Sequence, residues 1–440
     1  MLVAALAAAV FTIVASASRG AAAAAAVTVV VHLVIELRRA GSPRQRRTII
    51  VVSAAMLAVV VATTLALPAT RARFVSTDGL AFESAADRLL IWREALAVIA
   101  QRPVLGWGPS GFLDAVSRVH GAQWQRDVGS ATTLDSPHNW ILQLLSAGGI
   151  LLVCVGLVAI VLGVVSARRN WTAATRPPAD GPPVSSDPDR ADVLAAAVAA
   201  LSGLAVGWSV TFTAPGTVIL PALLFGALVA RAPAPKRALR RPLGALRSVG
   251  VVAWCAFLGV AAVADIPLGN GVTAAAAGDI ARADSSFETT ARLRPWDADV
   301  ASIAAQSLAA SADAGNTAAA PLTVNWARRA LRSTPGDLLA SKALAVGEQY
   351  TGDLDGAAST LRGLANDHPY DSEVAQRLGG VLLVQGKVDD ATTELVRASE
   401  LAPDDVDIWK TLAFAYQQSG DEASQTRAEA RIADLSGGGR

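Results

Sequence analysis

Cysteine is almost missing from this chain of 440 residues: Cys154 and Cys255 are the only two, and both fall inside apolar runs. That excludes a disulfide framework or a thiolate metal centre, and the pair reads as small core residues. Histidine is scarce too, at four residues, so few side chains can serve as a base near neutral pH. Charged residues make up 17% against 52% hydrophobic, which is too apolar for one ordinary soluble domain. No positive charge precedes the first apolar run, so despite Ala15-Ser16-Ala17 it reads as a membrane helix rather than a cleaved signal peptide.

The apolar residues that are present come in blocks. Seven runs, at about residues 2 to 17, 21 to 36, 48 to 67, 141 to 166, 191 to 212, 215 to 230 and 248 to 265, approach the roughly 17 to 25 residues a helix needs to cross a bilayer. The net charge of +1 conceals a division. Residues 266–440 hold 15 Lys and Arg against 24 Asp and Glu, a net of −9, which leaves +10 for residues 1–265. An acidic soluble part therefore follows a basic membrane part, and nucleic acid is excluded as a partner.

Arginine distribution sets the expected orientation. Arg38 to Arg47, Arg168 to Arg176 and Arg231 to Arg247 separate alternate blocks, so the positive-inside rule makes these loops cytoplasmic. The turn at Arg19, the loop 68–140 and everything after the seventh block then face outward. The low-complexity stretch within 170–190, rich in Pro, Ser and Asp, reads as a disordered cytoplasmic loop. The expected fold class is all-α: a polytopic transmembrane helix bundle with an extracytoplasmic helical loop, followed by an α-solenoid over 266–440.

The solenoid is read from a period. Pro335, Pro369 and Pro403 are 34 residues apart, as are Gly352, Gly386 and Gly420, which is the tetratricopeptide spacing. A more divergent copy holds Gly278, Ala283, Phe287 and Pro295, and about four units would stack to bury a continuous core. Such repeats usually hold a protein partner. Asp297-Ala-Asp299, Asp353-Leu-Asp355 and Asp405-Val-Asp407 look like metal motifs, but they recur at repeat helix starts, where carboxylates cap.

The outer loop gathers the chemistry. Leu89, Leu90, Trp92, Leu96 and Ile99 have helical spacing, Arg88 and Trp92 share a face, and Pro103 ends that helix. Gly106, Gly108 and Gly111 then form a turn able to bring N–H groups near an anion. Ser136-Pro137-His138-Asn139 reads as a helix start with Ser136 as N-cap, which places His138 in the first turn, where the helix dipole keeps its imidazole neutral and able to accept a proton. Arg19, between the first two blocks, falls on the same face and with Arg88 could grip a diphosphate. His120 is the rival base in the loop; His32 and His368 read as structural.

The serine-arginine-glycine turn at Ser18 to Gly20, Arg88 with Trp92, the run from Pro103 to Phe112, and His138-Asn139 ahead of a membrane helix together resemble the O-antigen ligase and polymerase family. The resemblance covers about residues 1 to 230, and the chain opens almost at the first motif, as an amino-terminally truncated member would. It implies an integral glycosyltransferase of the cytoplasmic membrane that uses no metal and no cofactor. Such an enzyme moves a glycan from a polyprenyl diphosphate donor to a glycan, lipid or protein acceptor outside. By the same resemblance Arg19 and Arg88 bind the diphosphate and His138 activates the acceptor hydroxyl. Trp92, Gly106, Gly108, Gly111 and Asn139 complete the substrate-contacting set, the first four as its structural part. Two alternatives stay open: a polymerase or protein O-glycosyltransferase using the same chemistry, and a non-enzymatic scaffold recruiting envelope proteins through its repeats.

Overall fold

The computed structural model describes residues 19–66, 85–109, 111–130, 134–175, 188–209, 215–230 and 241–437. Among these, every regular element is a helix. In chain order they are α1 Arg19–Arg39, α2 Pro43–Ala66, α3 Ala85–Gln101, α4 Gly111–Val116, α5 Ala122–Asp127, α6 Trp140–Thr175, α7 Pro188–Trp208, α8 Pro215–Val229 and α9 Arg241–Ala276. The repeats follow as α10 Ile280–Leu293, α11 Asp299–Asp313, α12 Ala320–Ser333, α13 Leu338–Thr351, α14 Leu354–Asp367, α15 Ser372–Val384, α16 Val388–Leu401, α17 Val406–Ser419 and α18 Glu422–Gly437. The chain falls into two compact units, residues 1–113 with 134–236, and residues 114–133 with 237–440.

In the first unit, Trp140–Thr175 and Arg190–Trp208 are long and apolar enough to cross a membrane, and Ile219–Val229 is a shorter apolar helix. Helices α1 and α2 cover the second and third apolar blocks; the first lies outside the described residues. α1 and α7 pack antiparallel. At one end Arg39 pairs with Asp192 at 2.6 Å, and at the other Gly207 lies against Ala24, where a Cβ would sit 3.3 Å from the alanine methyl. Between them Gly203 leaves room only for hydrogen, because a Cβ there would meet the Ala24 carbonyl oxygen at 2.5 Å. The Arg39 end is also the basic end: Arg39 stacks on Trp171, and Arg190 donates to Asn170 and to the Ala230 carbonyl. Asn170 is itself buried and donates to the Leu228 carbonyl at 2.7 Å, so residues 170–175 continue α6 instead of opening the expected loop. Residues 176–187 lie outside the described residues.

The second unit holds the solenoid, with α9 as its first helix. Val252–Ala276 is a third span of membrane-crossing length, and α9 runs without a break past residue 265 to become the first helix of the first hairpin. Gly271 touches Phe287 of α10 there, and Arg294 binds the Ala261 carbonyl, Asp265 and Asp297. Five hairpins follow from this among the described residues: α9 with α10, α11 with α12, α13 with α14, α15 with α16, and α17 with α18. One more copy is present than the sequence spacing indicates. The copy from Asp299 to Ser333 escapes the 34-residue count because a short 3-10 turn, Thr317–Ala319, lengthens its connection. Gly278, Gly315, Gly352, Gly386 and Gly420 all adopt positive φ at the equivalent turn, a conformation open to glycine at no steric cost.

The aspartates at the repeat helix starts act as caps. Asp337, Asp371 and Asp405 each accept from backbone N–H groups of the helix that follows. Three readings need correction. Cys154 and Cys255 are exposed on α6 and α9 instead of buried, because these apolar helices turn their outer faces away from the protein. His32, expected to be buried within the second apolar block, is exposed on α1 for the same reason.

Candidate active site in the first unit

Helix α6 is broken near its start. Gly149 has φ 61° and ψ −160°, which interrupts the ladder between Ser146 and Leu151 and frees carbonyls and N–H groups. The glycine loop after α3 fills that break. Trp107 N donates to the Ser146 carbonyl at 2.7 Å and Gly108 N to Ala147 at 2.9 Å, while Ile150 N donates to the Pro103 carbonyl at 2.9 Å. Gly106, at φ 66°, has no room for a side chain: a Cβ would sit 2.6 Å from Gly148 N and the Ser146 oxygen. Gly149 is equally confined, since its Cβ would strike the Val104 carbonyl.

These bonds correct the anion-cradle expectation for the loop. Gly106 N goes to Arg102, Trp107 N and Gly108 N to α6, and Gly111 N to Gly108, so these N–H groups are committed within the chain. The glycines allow close approach, and what the loop builds is a rigid junction. Trp107 closes it, donating from Nε1 to the Val98 carbonyl at 3.0 Å and lying under the Arg102 guanidinium. Gly149 and its carbonyl neighbours Ser146 and Ala147 were missed in the sequence; the signal was a Gly148-Gly149 pair inside an apolar run.

Ahead of α6 the chain turns sharply. His138 has φ 50°, the left-handed region, and its N–H donates to Ser136 Oγ at 3.2 Å. The N-cap is Asn139, whose Oδ1 accepts from Ile141 N and Leu142 N at 3.0 and 3.2 Å. The expected assignment of Ser136 as cap and Pro137 as first helical residue is thereby corrected: the left-handed His138 cannot continue a helix, so α6 starts after Asn139. Asn139 also donates from Nδ2 to the Ser209 carbonyl at 3.0 Å, tying the turn to the end of α7.

On α3, Ile91, Ala95, Val98 and Ile99 are buried, and Arg88 and Trp92 are half-buried on the helix. Arg88 Nη1 and Trp92 Nε1 are buried and have no hydrogen-bond partner among the described residues. Two orphaned donors one turn apart are costly unless something accepts from them. His138 is close enough to feel Arg88. Burial lowers the imidazole pKa most, the Arg88 charge lowers it further, and Asp135 acts the other way. His138 is therefore held neutral at physiological pH.

The third expected residue, Arg19, is the first residue of α1, and its side chain lies outside the described residues. The backbone places that end of α1 beside the end of α7, because Ala24 packs on Gly207 and Ser209 is bonded to Asn139. His120, the rival base, belongs to the other unit and stacks on Trp124.

Residues 4–161, which include every element of this site except the α7 terminus, match the O-antigen ligase family, and residues 350–413 match the tetratricopeptide repeat. No curated protein matches the chain. Among solved structures, MamA AMB-1 is 22% identical over 40% of this chain and 93% of its own, with a TM-score of 0.31. MamA 41-end from Desulfovibrio magneticus RS-1 is 15% identical over 40% of this chain and 96% of its own, at 0.35. Over residues 4–161 the chain is thus similar to the O-antigen ligase family, and its carboxyl-terminal part carries tetratricopeptide repeats.

Proposed function

We propose that the first unit transfers a glycan from a polyprenyl diphosphate carrier to an acceptor hydroxyl at the outer face of the cytoplasmic membrane, with no metal in the reaction. The observation that carries this reading is the pair of buried, unpartnered donors, Arg88 Nη1 and Trp92 Nε1, beside a histidine kept neutral. Arg88 binds the diphosphate, joined by Arg19 from the start of α1, and His138 accepts the acceptor proton. The acceptor oxygen forms a bond to the anomeric carbon, the bond from that carbon to the diphosphate oxygen breaks, and the electron pair leaves with the lipid diphosphate. The guanidinium stabilises the charge growing on that leaving group. Leu89, Leu96, Val104 and Leu105 are exposed around the same elements and suit a polyprenyl chain arriving from the bilayer.

The test is transfer by the full chain in proteoliposomes supplied with a polyprenyl diphosphate glycan, read as release of polyprenyl diphosphate. Arg88→Ala and His138→Ala should each slow it by about a hundredfold or more. Wild-type rates in both variants overturn the reading and favour the scaffold alternative.

A further inference from the structure

The second unit contains a segment that is far away in sequence. The chain leaves the first unit after Leu113, its residues 114–130 lie against the repeats, and the first unit resumes at Leu134. We propose that the turns preceding the repeat hairpins are a docking surface occupied in cis by residues 114–130.

The segment crosses three successive turns. At the first and second, Asp114 lies near Asp299 and Asp337, with Arg118 as the neighbouring cation. Gly336 leaves space for Arg118, because a Cβ there would strike the guanidinium. At the third, His368 is 5% exposed and its Nδ1 lies 3.0 Å from the Ser117 carbonyl, which can only accept, so the ring carries its proton on Nδ1. Beside it Gln125, 6% exposed, donates from Nε2 to Ser372 Oγ at 2.8 Å, and Ser130 Oγ donates to Gln125 Oε1 at 2.9 Å. Next to Gln125, Trp124 is 2% exposed and stacks on His120.

Buried polar side chains from both partners, each satisfied by the other, mark a fitted surface and not a chance contact. The occupant is identified because it is present: these turns hold the chain's own loop. An outside protein reaches them only by displacing that loop. The docking stands without the transfer reading.

The experiment uses the full chain in membranes with Cys154→Ser and Cys255→Ser. The hydroxyls of Ser130 and Ser372 are 3.1 Å apart, so Ser130→Cys with Ser372→Cys should form a disulfide on mild oxidation, whereas Ser130→Cys with Ser419→Cys should not. Equal yields from the two pairs overturn the docking. Gln125→Ala should then raise hydrogen exchange across residues 122–128 by about tenfold, with the exchange of α17 and α18 unchanged. Unchanged exchange at 122–128 overturns the docking. Neither measurement depends on turnover, so a failure of transfer is read separately.

Discussion

Gly106 lies so close to Gly148 that a Cβ added to the first would stand 2.6 Å from the backbone nitrogen of the second. Gly106→Ala forces the loop out of the break in α6 and breaks the bonds from Trp107 and Gly108, besides straining a residue at φ 66°. A loss of about 1–3 kcal/mol is expected in thermal unfolding of the first unit, with transfer falling as His138 moves. Gly108→Ala, with nothing within 4 Å of its Cβ, should bear only the cost of its positive φ.

Under the proposed transfer, Arg88 is expected to set the acid limb of activity. With His138 lowered by burial and by Arg88, the neutral base persists below pH 6.5, and transfer should decline only at lower pH. Arg88→Gln removes one lowering influence. Besides slowing turnover, it should move the acid limb of kcat upward, toward 6.5; a limb that stays in place argues that the guanidinium does not act on the imidazole.

Asn139 performs two tasks with one side chain, capping α6 and bonding Ser209. Asn139→Ala should lower stability by about 1–2 kcal/mol. Asn139→Asp keeps the capping oxygen but loses the donor to Ser209, so it should fall between wild type and alanine in a denaturant midpoint.

Asp114 makes docking of the loop depend on pH. Its carboxyl is pushed up to about 6 by burial and by Asp337, with Asp299 adding to this and Arg118 opposing it. The docked state therefore favours the proton: this contribution is complete below the ordinary value of 3.8 and is lost as pH rises through about 6. His368, lowered chiefly by burial, acts oppositely, supporting docking above 6.5 and losing that support on acidification. Asp114→Asn should slow exchange of residues 122–128 at pH 7.5 and leave only the His368 limb. Normalised exchange rates between pH 4.5 and 8 check both signs.

Local features were legible without coordinates. The glycines at 352, 386 and 420, the prolines 34 apart and the recurring aspartates each report a conformation decided within a few residues: a left-handed turn, a stop, a cap. The candidate residues Arg88, Trp92, His138 and Asn139 were named together from the family motif, while the local geometry around them differs from what was expected. The glycine loop proved to be a plug for a broken helix, and the cap moved from Ser136 to Asn139, because a helix break at Gly149 and a left-handed His138 leave no periodic trace.

By itself, the order of residues determined an apolar bundle, an acidic repeat arm and the turns that punctuate them, since hydrophobic spacing and glycine conformation act over one or two helical turns. Tertiary structure alone decided that Arg88 and Trp92 keep buried donors beside His138 with no partner among the described residues, that α9 passes from membrane-length span into first repeat, and that Gln125 meets Ser372 across 247 positions. Those relationships depend on how distant segments close on one another, and packing complementarity between them is a property of surfaces that exist only after folding.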